Sequence, residues 1–190
     1  MSEIIIWEEG VSKQTDIMNN LIFVKLGGSL ITDKKRRYHV RAATLRRLAA
    51  ELKSALGADP TLRILLAHGS GSFGHVAAHE SGYNAREGHL SPMALAQVAA
   101  AAGDLNQLVR ATLLEAGLPV LSLPPSASAR LREGEVVEMA TTPFVDLLAQ
   151  GAIPLTYGDV VLLAGGGGSG IASTEALFRY LADTLRPQRV

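Results

Sequence analysis

Short apolar segments alternate with longer segments of helical periodicity along most of the chain. The apolar segments are rich in Leu, Ile and Val without alternating polar positions, which is typical of strands that are buried on both faces. They are residues 21–26, 62–67, 118–123 and 153–156. The segments between them carry apolar residues three and four positions apart, which predicts amphipathic helices. They are residues 41–56, 92–116, 143–149 and 174–185. Gly57 predicts the end of the first helix.

This order of strands and helices predicts the fold class. We expect an α/β protein in which a mostly parallel sheet is sandwiched between helices, a Rossmann-like three-layer arrangement. Two further apolar runs, 160–163 and 171–173, flank a glycine-rich turn and predict a hairpin. That turn, residues 165–170, fits both a natural hairpin tip and an engineered flexible linker. Residues 1–20 do not share the pattern, and we interpret them as an extension or tag before one domain at 21–190.

Composition narrows the classes of partner. The chain has 190 residues with 18 basic and 18 acidic side chains, and zero net charge favours neither nucleic acid nor an anionic membrane. It contains no cysteine, which excludes disulfides and thiolate metal sites. No apolar run approaches the roughly 20 residues that span a bilayer, and the start lacks the pattern of a signal peptide. We therefore expect a cytoplasmic protein without a dedicated metal site.

Two glycine clusters directly follow two of the expected strands. The first reads Lys-Leu-Gly-Gly-Ser at positions 25–29, and the second reads His-Gly-Ser-Gly-Ser-Phe-Gly-His at positions 68–75. Both would lie at the carboxyl edge of a parallel sheet, where ligands bind. Glycine there lets backbone N–H groups approach an anion without a Cβ in the way. Lys25 would add a positive charge, which suits phosphoryl transfer.

Two better-known phosphate motifs fit less well. Neither cluster ends in the Gly-Lys-Ser/Thr of the Walker motif. The second cluster satisfies G-x-G-x-x-G, but no acidic residue at a strand end follows about 20 positions later, as a dinucleotide fold requires. A dinucleotide enzyme is therefore the weakest alternative.

Four motifs in order resemble one family. The two glycine clusters are followed by Ser-Leu-Pro-Pro-Ser-Ala-Ser at 122–128 and Pro-Leu-Thr-Tyr-Gly-Asp-Val-Val at 154–161. The set resembles the isopentenyl phosphate kinases of the amino acid kinase superfamily, and the second cluster also resembles the related fosfomycin kinases. The resemblance implies ATP-dependent phosphorylation of isopentenyl phosphate to isopentenyl diphosphate, with Mg²⁺ bridging the ATP phosphates.

The resemblance also implies roles for individual residues. Lys25 would contact the transferring phosphate, and Lys34 would help to neutralise its charge. His75 would hydrogen-bond and orient the acceptor phosphate. Asp159 would organise the lysines. Two sets of small residues would bind phosphates through their backbone. They are Gly27, Gly28 and Ser29 on the nucleotide side, and Gly69, Ser70, Gly71 and Gly74 around the acceptor phosphate.

The resemblance leaves alternatives for the chain as a whole. Members of the superfamily continue into a second half that carries the adenine pocket, whereas residues 186–190 resemble the start of its first strand. We therefore expect that the nucleotide half is missing, which allows a catalytically inactive fragment or scaffold, or a second polypeptide that supplies the other half. A kinase of another phosphate or phosphonate, such as fosfomycin, also fits.

We further expect a homodimer or other self-association. Met93, Leu95 and Val98 are candidates for lining an isoprenoid tail.

Overall fold

The computed structural model describes residues 20–33, 35–82 and 90–190. Strands and helices alternate through most of this part, as the apolar pattern predicts. The strands are β1 (Leu21–Leu26), β2 (Arg63–His68), β3 (Val120–Ser122), β4 (Arg130–Arg132), β5 (Glu135–Glu138), β6 (Ile153–Tyr157), β7 (Asp159–Leu163) and β8 (Ser169–Ala172). The helices are α1 (Gly28–Ile31), α2 (Ala42–Ala58), α3 (Gly71–Glu80), α4 (Pro92–Glu115), α5 (Thr142–Ala149) and α6 (Thr174–Leu185), with a 3₁₀ turn at Pro125–Ala127.

Four strands form a parallel sheet in the order β1-β2-β6-β3. The register pairs Leu26 with His68, and His68 with Tyr157. The carboxyl ends of β1, β2 and β6 therefore lie side by side at one edge. The segments that follow these three strands must emerge next to one another, which is where the sequence places both glycine clusters.

Helices cover both faces of this sheet, which confirms the expected three-layer α/β fold. Neighbouring residues of β2 point into different cores, because Leu66 packs with α2 and α4 whereas Leu65 packs with α5 and α6. The helix residues of the first core include Leu45, Ala49, Leu105, Val109 and Leu113. Those of the second include Phe144, Leu148, Leu177 and Leu181. Burial on both faces explains why these strands show no alternating polar positions.

A second, mixed sheet has the order β5-β4-β7-β8. Its antiparallel β7–β8 pair confirms the hairpin predicted around the glycine-rich turn. The antiparallel β4–β5 hairpin was not expected from the sequence. Its strands are only three and four residues long and carry charged side chains at both ends, so they show no apolar run. The turn between them places Glu133 and Gly134 at positive φ.

One helix end differs from the prediction, whereas the segment at 186–190 agrees with it. Gly57 does not end its helix, because α2 continues to Ala58 and the N–H of Asp59 still donates to Ala55. The stop comes from Pro60, which disfavours helical geometry at the residue before it, and Asp59 is extended. After α6, Arg189 pairs in parallel with Ile22, so residues 186–190 do begin a strand-like pairing beside β1.

The interpretation of residues 1–20 as an extension concerns residues that, except for Asn20, lie outside the described part. Over the described ranges, no helix is both long and apolar enough to cross a membrane.

Candidate phosphate-binding site

The two glycine turns, defined as residues 27–29 and residues 69–71, touch each other. A Cβ added to Gly28 would lie 2.6 Å from the nitrogen and 2.7 Å from the Cα of Gly71. A Cβ added to Gly69 would lie 3.0 Å from the nitrogen of Gly28. Only residues without side chains allow the two backbones to come this close. The expectation that both clusters meet at one rim is confirmed.

Both turns present backbone N–H groups that have no acceptor among the described residues. In the described part of the chain, no acceptor is bonded to the N–H of Gly28, Ser29, Ser70 or Gly71. The reason is local, because each turn leads into a helix whose first amides have no partner inside the helix. Several unpaired amides in one concave place form an anion-binding environment.

A cleft of about 430 Å³ opens over the two turns. It is lined by most of the residues that the sequence assigned to phosphate binding. They are Lys25, Gly27, Gly28, Ser29, Gly69, Ser70, Gly71 and His75. The far side of the cleft is formed by Gly158 and by the start of α6, with Ser173, Thr174 and Glu175. Segments that are up to 150 positions apart in sequence thus share one concave surface.

One assigned glycine does not line the cleft. Gly74 lies within α3, and a Cβ there would lie 2.5 Å from the Cβ of Ser70. Gly74 therefore serves contact with the preceding turn, and its role in wrapping the acceptor phosphate stays a prediction. Lys34 lies outside the described residues.

The carboxylate partner of Lys25 is Glu175, not Asp159. The ammonium of Lys25 donates to the carboxylate of Glu175, which lies in the first turn of α6. This hydrogen bond is the main reason why the pKa of Glu175 is lowered. The available sequence signal was an acidic residue just after a serine that can cap a helix, because the first turn of a helix favours negative charge.

Asp159 has a different environment from the one predicted. Its side chain is buried and accepts hydrogen bonds from the N–H of Val160 at 2.8 Å and of Ser126 at 3.4 Å. Burial raises its pKa. Asp159 therefore ties the 3₁₀ turn to β7, and the structure does not place it beside Lys25.

His68 is a buried residue to which the sequence assigned no role. Its ring stacks on Tyr157 with centroids 5.4 Å apart, and its Nε2 lies 3.3 Å from the side-chain oxygen of Asn106. Burial lowers the pKa of His68 to about 4, so the ring is neutral at neutral pH. Its carbonyl accepts the N–H of Gly158 at 3.1 Å and the hydroxyl of Thr174 at 3.0 Å. His68 thus joins the second glycine turn to both segments on the far side of the cleft.

An apolar cluster adjoins the cleft between α3, α4 and β7. Its buried members are Ala77, Val98, Ala101 and Val160. Leu95 and Ile171 pack against it, and Ile171 also lines the cleft. Two of the three candidates for lining a tail, Leu95 and Val98, therefore belong to this cluster. Met93 is 68% exposed and is not among its members.

The site has no set of side chains that would hold a metal ion by itself. Within residues 20–33, 35–82 and 90–190, no group of three His, Cys, Asp or Glu side chains is arranged to do so. The cleft is lined by backbone amides, an ammonium, an imidazole and several hydroxyl groups, and the carboxylate of Glu175 is paired with Lys25. This combination favours anions.

The fold and the cleft together define a three-layer α/β protein. Its candidate anion site lies at the carboxyl edge of the parallel sheet, where two touching glycine turns meet a lysine and a histidine. The chain belongs to the amino acid kinase family, which is matched over residues 20–190. Within that family, the relatives that it matches include isopentenyl phosphate kinases.

The similarity to these relatives extends over most of this chain. The isopentenyl phosphate kinase of Methanocaldococcus jannaschii is 28% identical over 179 residues, covering 87% of this chain and 65% of that protein. The Haloferax volcanii enzyme is 34% identical, covering 90% and 67%. A crystal structure of an isopentenyl phosphate kinase matches with a TM-score of 0.79 and 30% identity, over 90% of this chain and 71% of that one. The chain spans about 65% of the length of the first of these relatives.

Proposed function

We propose that this chain binds isopentenyl phosphate and takes part in its ATP-dependent phosphorylation to isopentenyl diphosphate. The observation that carries the proposal is the contact between the two glycine turns, which directs unpaired amides from both into one cleft. The names of the relatives support the choice of acceptor.

The acceptor would occupy the side of the cleft formed by the second glycine turn. The N–H groups of Ser70 and Gly71 and the imidazole of His75 would bind its phosphate. The isoprenoid tail would lie against Ile171, which lines the cleft and packs on the apolar cluster behind it. An anion site beside an apolar wall matches a molecule that carries a phosphate at one end and a hydrocarbon at the other.

The reaction requires little proton chemistry from the protein. A terminal oxygen of isopentenyl phosphate attacks the γ-phosphorus of ATP, a new P–O bond forms, and the bond to the β–γ bridging oxygen breaks to release ADP. The attacking oxygen is already anionic, so no strong general base is needed. Lys25 would stabilise the charge on the transferring group, and Glu175 would hold the ammonium in place.

The nucleotide would be held by its phosphates. The first glycine turn, with Gly27, Gly28 and Ser29, would face them, and Lys34 is proposed as the second lysine. Mg²⁺ would enter with the ATP phosphates and rely on few protein ligands, in keeping with the donor set of the cleft. Self-association, and a second polypeptide that supplies the nucleotide half, remain predictions.

The test combines binding and turnover with one protein sample. The purified chain is titrated with isopentenyl phosphate by calorimetry and then incubated with ATP, Mg²⁺ and isopentenyl phosphate, while ADP and isopentenyl diphosphate are quantified. Binding with turnover supports the full proposal, and Lys25→Ala should then abolish transfer without unfolding the protein. Binding without turnover supports an acceptor-binding chain that is inactive alone. The absence of binding contradicts the proposal, and binding of fosfomycin instead identifies the other acceptor class.

A further inference from the structure

A buried threonine connects the two glycine turns. Thr32 directly follows α1 and has no exposed surface. Its hydroxyl donates to the carbonyl oxygen of Gly28 at 2.7 Å and accepts the N–H of Ser72 at 2.9 Å. A single hydroxyl group is therefore bonded at once to the first glycine turn and to the helix that begins at the second.

The bond from Ser72 is a helix cap supplied by a distant segment. Ser72 is the second residue of α3, where the N–H has no acceptor inside the helix. Such a group is normally bonded by the side chain of the residue that precedes the helix, but Ser70 at that position makes no capping bond. Thr32, 40 positions earlier in the chain, takes its place.

The surrounding packing leaves the threonine little freedom. A Cβ added to Gly71 would lie 2.3 Å from the hydroxyl oxygen and 2.7 Å from the methyl carbon of Thr32. Gly71 also adopts a φ of +52°, which favours glycine. Because the hydroxyl hydrogen points to Gly28, the oxygen lone pairs are directed toward Ser72. The two turns cannot slide past each other without breaking one of these bonds.

We propose that Thr32 is a positioning residue that sets the spacing between the nucleotide-side and acceptor-side amides. This inference rests on the proposed function. By bonding the N–H of Ser72, Thr32 leaves the N–H groups of Ser70 and Gly71 as the ones directed at the acceptor phosphate. Phosphoryl transfer depends chiefly on positioning, so a fixed spacing between the two turns bears directly on the reaction.

The experiment compares three variants of the full chain. Thr32→Val removes the hydroxyl at nearly constant shape, and Thr32→Ser retains it. Thr156→Val is the matched control, because Thr156 is equally buried but its hydroxyl has no partner in the described part of the chain. Each protein is assayed well below its melting temperature for isopentenyl phosphate affinity by calorimetry and for hydrogen exchange at the Ser72 amide by NMR.

The expected results distinguish the effect of the Thr32 hydroxyl from the effect of its methyl packing. Thr32→Val should bind isopentenyl phosphate about tenfold more weakly and lose protection of the Ser72 amide, whereas Thr32→Ser should stay within about twofold of wild type in both. Thr156→Val should match wild type. Equal weakening in Thr32→Ser and Thr32→Val would overturn the inference, because the methyl group would then be responsible.

The two proposals fail in distinguishable ways. If wild type binds and Thr32→Val binds equally well, the positioning role is wrong and the proposed function stands. If wild type does not bind isopentenyl phosphate, the proposed function fails together with the positioning role that depends on it. If Thr32→Val does not fold, hydrogen exchange of the wild-type protein still tests the inference. An unprotected Ser72 amide would show that Thr32 does not cap the helix.

Discussion

At the scale of single residues, the glycines of the site are more constrained than its charged side chains. Lys25 and Glu175 form an ion pair that is partly exposed, with side-chain exposures of 34% and 63%, and such pairs contribute at most about 1 kcal/mol to stability. Gly28, in contrast, faces backbone atoms of Gly71 that cannot rotate away. The charged pair therefore matters for where it places the ammonium of Lys25. Gly28 matters because it allows the two turns to touch.

Replacing Gly28 by Ala should separate the turns. The new Cβ would lie 2.6 Å from the Gly71 nitrogen, so we expect isopentenyl phosphate binding to fall by at least about tenfold, with a loss of about 2 kcal/mol in the free energy of unfolding. Gly57→Ala is the control, because a Cβ there meets nothing within 4 Å and alanine favours a helix. Calorimetric titration and urea unfolding of both variants provide the measurement, and normal affinity in Gly28→Ala would show that the contact is dispensable.

His75 is expected to contribute a charge-assisted hydrogen bond to the acceptor. His75→Ala should weaken isopentenyl phosphate binding by about 1.5–3 kcal/mol, measured by isothermal titration calorimetry. His79 is the matched control, since it is exposed on the same helix and does not line the cleft. Equal affinities of His75→Ala and His79→Ala would remove His75 from the site.

At the scale of elements, the buried ring of His68 couples the sheet to the cleft. It lies at the end of β2, stacks on Tyr157 of β6 and approaches Asn106 of α4, which in turn donates to Ser122 of β3 at 2.9 Å. A neutral ring suits this enclosed position. The connection between three strands and one helix therefore depends on the protonation state of one side chain.

Acid should weaken the fold through His68. Its pKa is about 4 in the folded protein and 6.5 in a free side chain, so the unfolded chain binds the proton more tightly. The free energy of unfolding should therefore fall as the pH drops from about 6.5 to about 4, with a loss of about 2 kcal/mol between pH 7 and pH 5. Urea unfolding of wild type and His68→Gln at both pH values isolates this contribution.

Other groups also titrate in this range, so the difference between the two proteins is the informative quantity. His79→Gln should keep the wild-type dependence, because that residue is exposed. If wild type and His68→Gln lose the same free energy on acidification, the buried ring is not its source.

At the scale of the whole molecule, the cleft is assembled from elements that are distant along the chain. The amides follow β1 and β2, Gly158 follows β6, and Glu175 opens α6. A ligand that bonds to several of these segments should stabilise all of them together. Ligand binding should consequently increase the stability of the whole fold.

Isopentenyl phosphate should therefore raise the thermal stability of the chain. At a free ligand concentration of about 100 times Kd, the gain is about 2.7 kcal/mol, which shifts Tm upward by several degrees. Differential scanning calorimetry measures the shift, and isopentenol, which lacks the phosphate, is the control. An equal shift with isopentenol would assign the binding energy to the isoprenoid tail rather than to the phosphate.

The sequence alone predicted the features that depend on local pattern. Continuous apolar runs at residues 21–26 and 62–67 identified buried parallel strands, because burial on both faces removes polar positions. Glycines directly after them identified the ligand edge, because strand ends of a parallel sheet share one side. The β4–β5 hairpin was not predicted. Its short charged strands depend on pairing within the sheet, β5 with β4 and β4 with β7, rather than on their own composition.

Which groups meet across the chain depends on the folded structure. No spacing rule connects Lys25 to Glu175 rather than to Asp159, or Thr32 to Ser72, because these contacts depend on how the sheet and helices pack. The same holds for Gly74, which contacts Ser70 instead of the cleft. Local physics selects strands, helices and turns from short stretches of sequence, whereas a binding site depends on distances between stretches that only the folded chain defines.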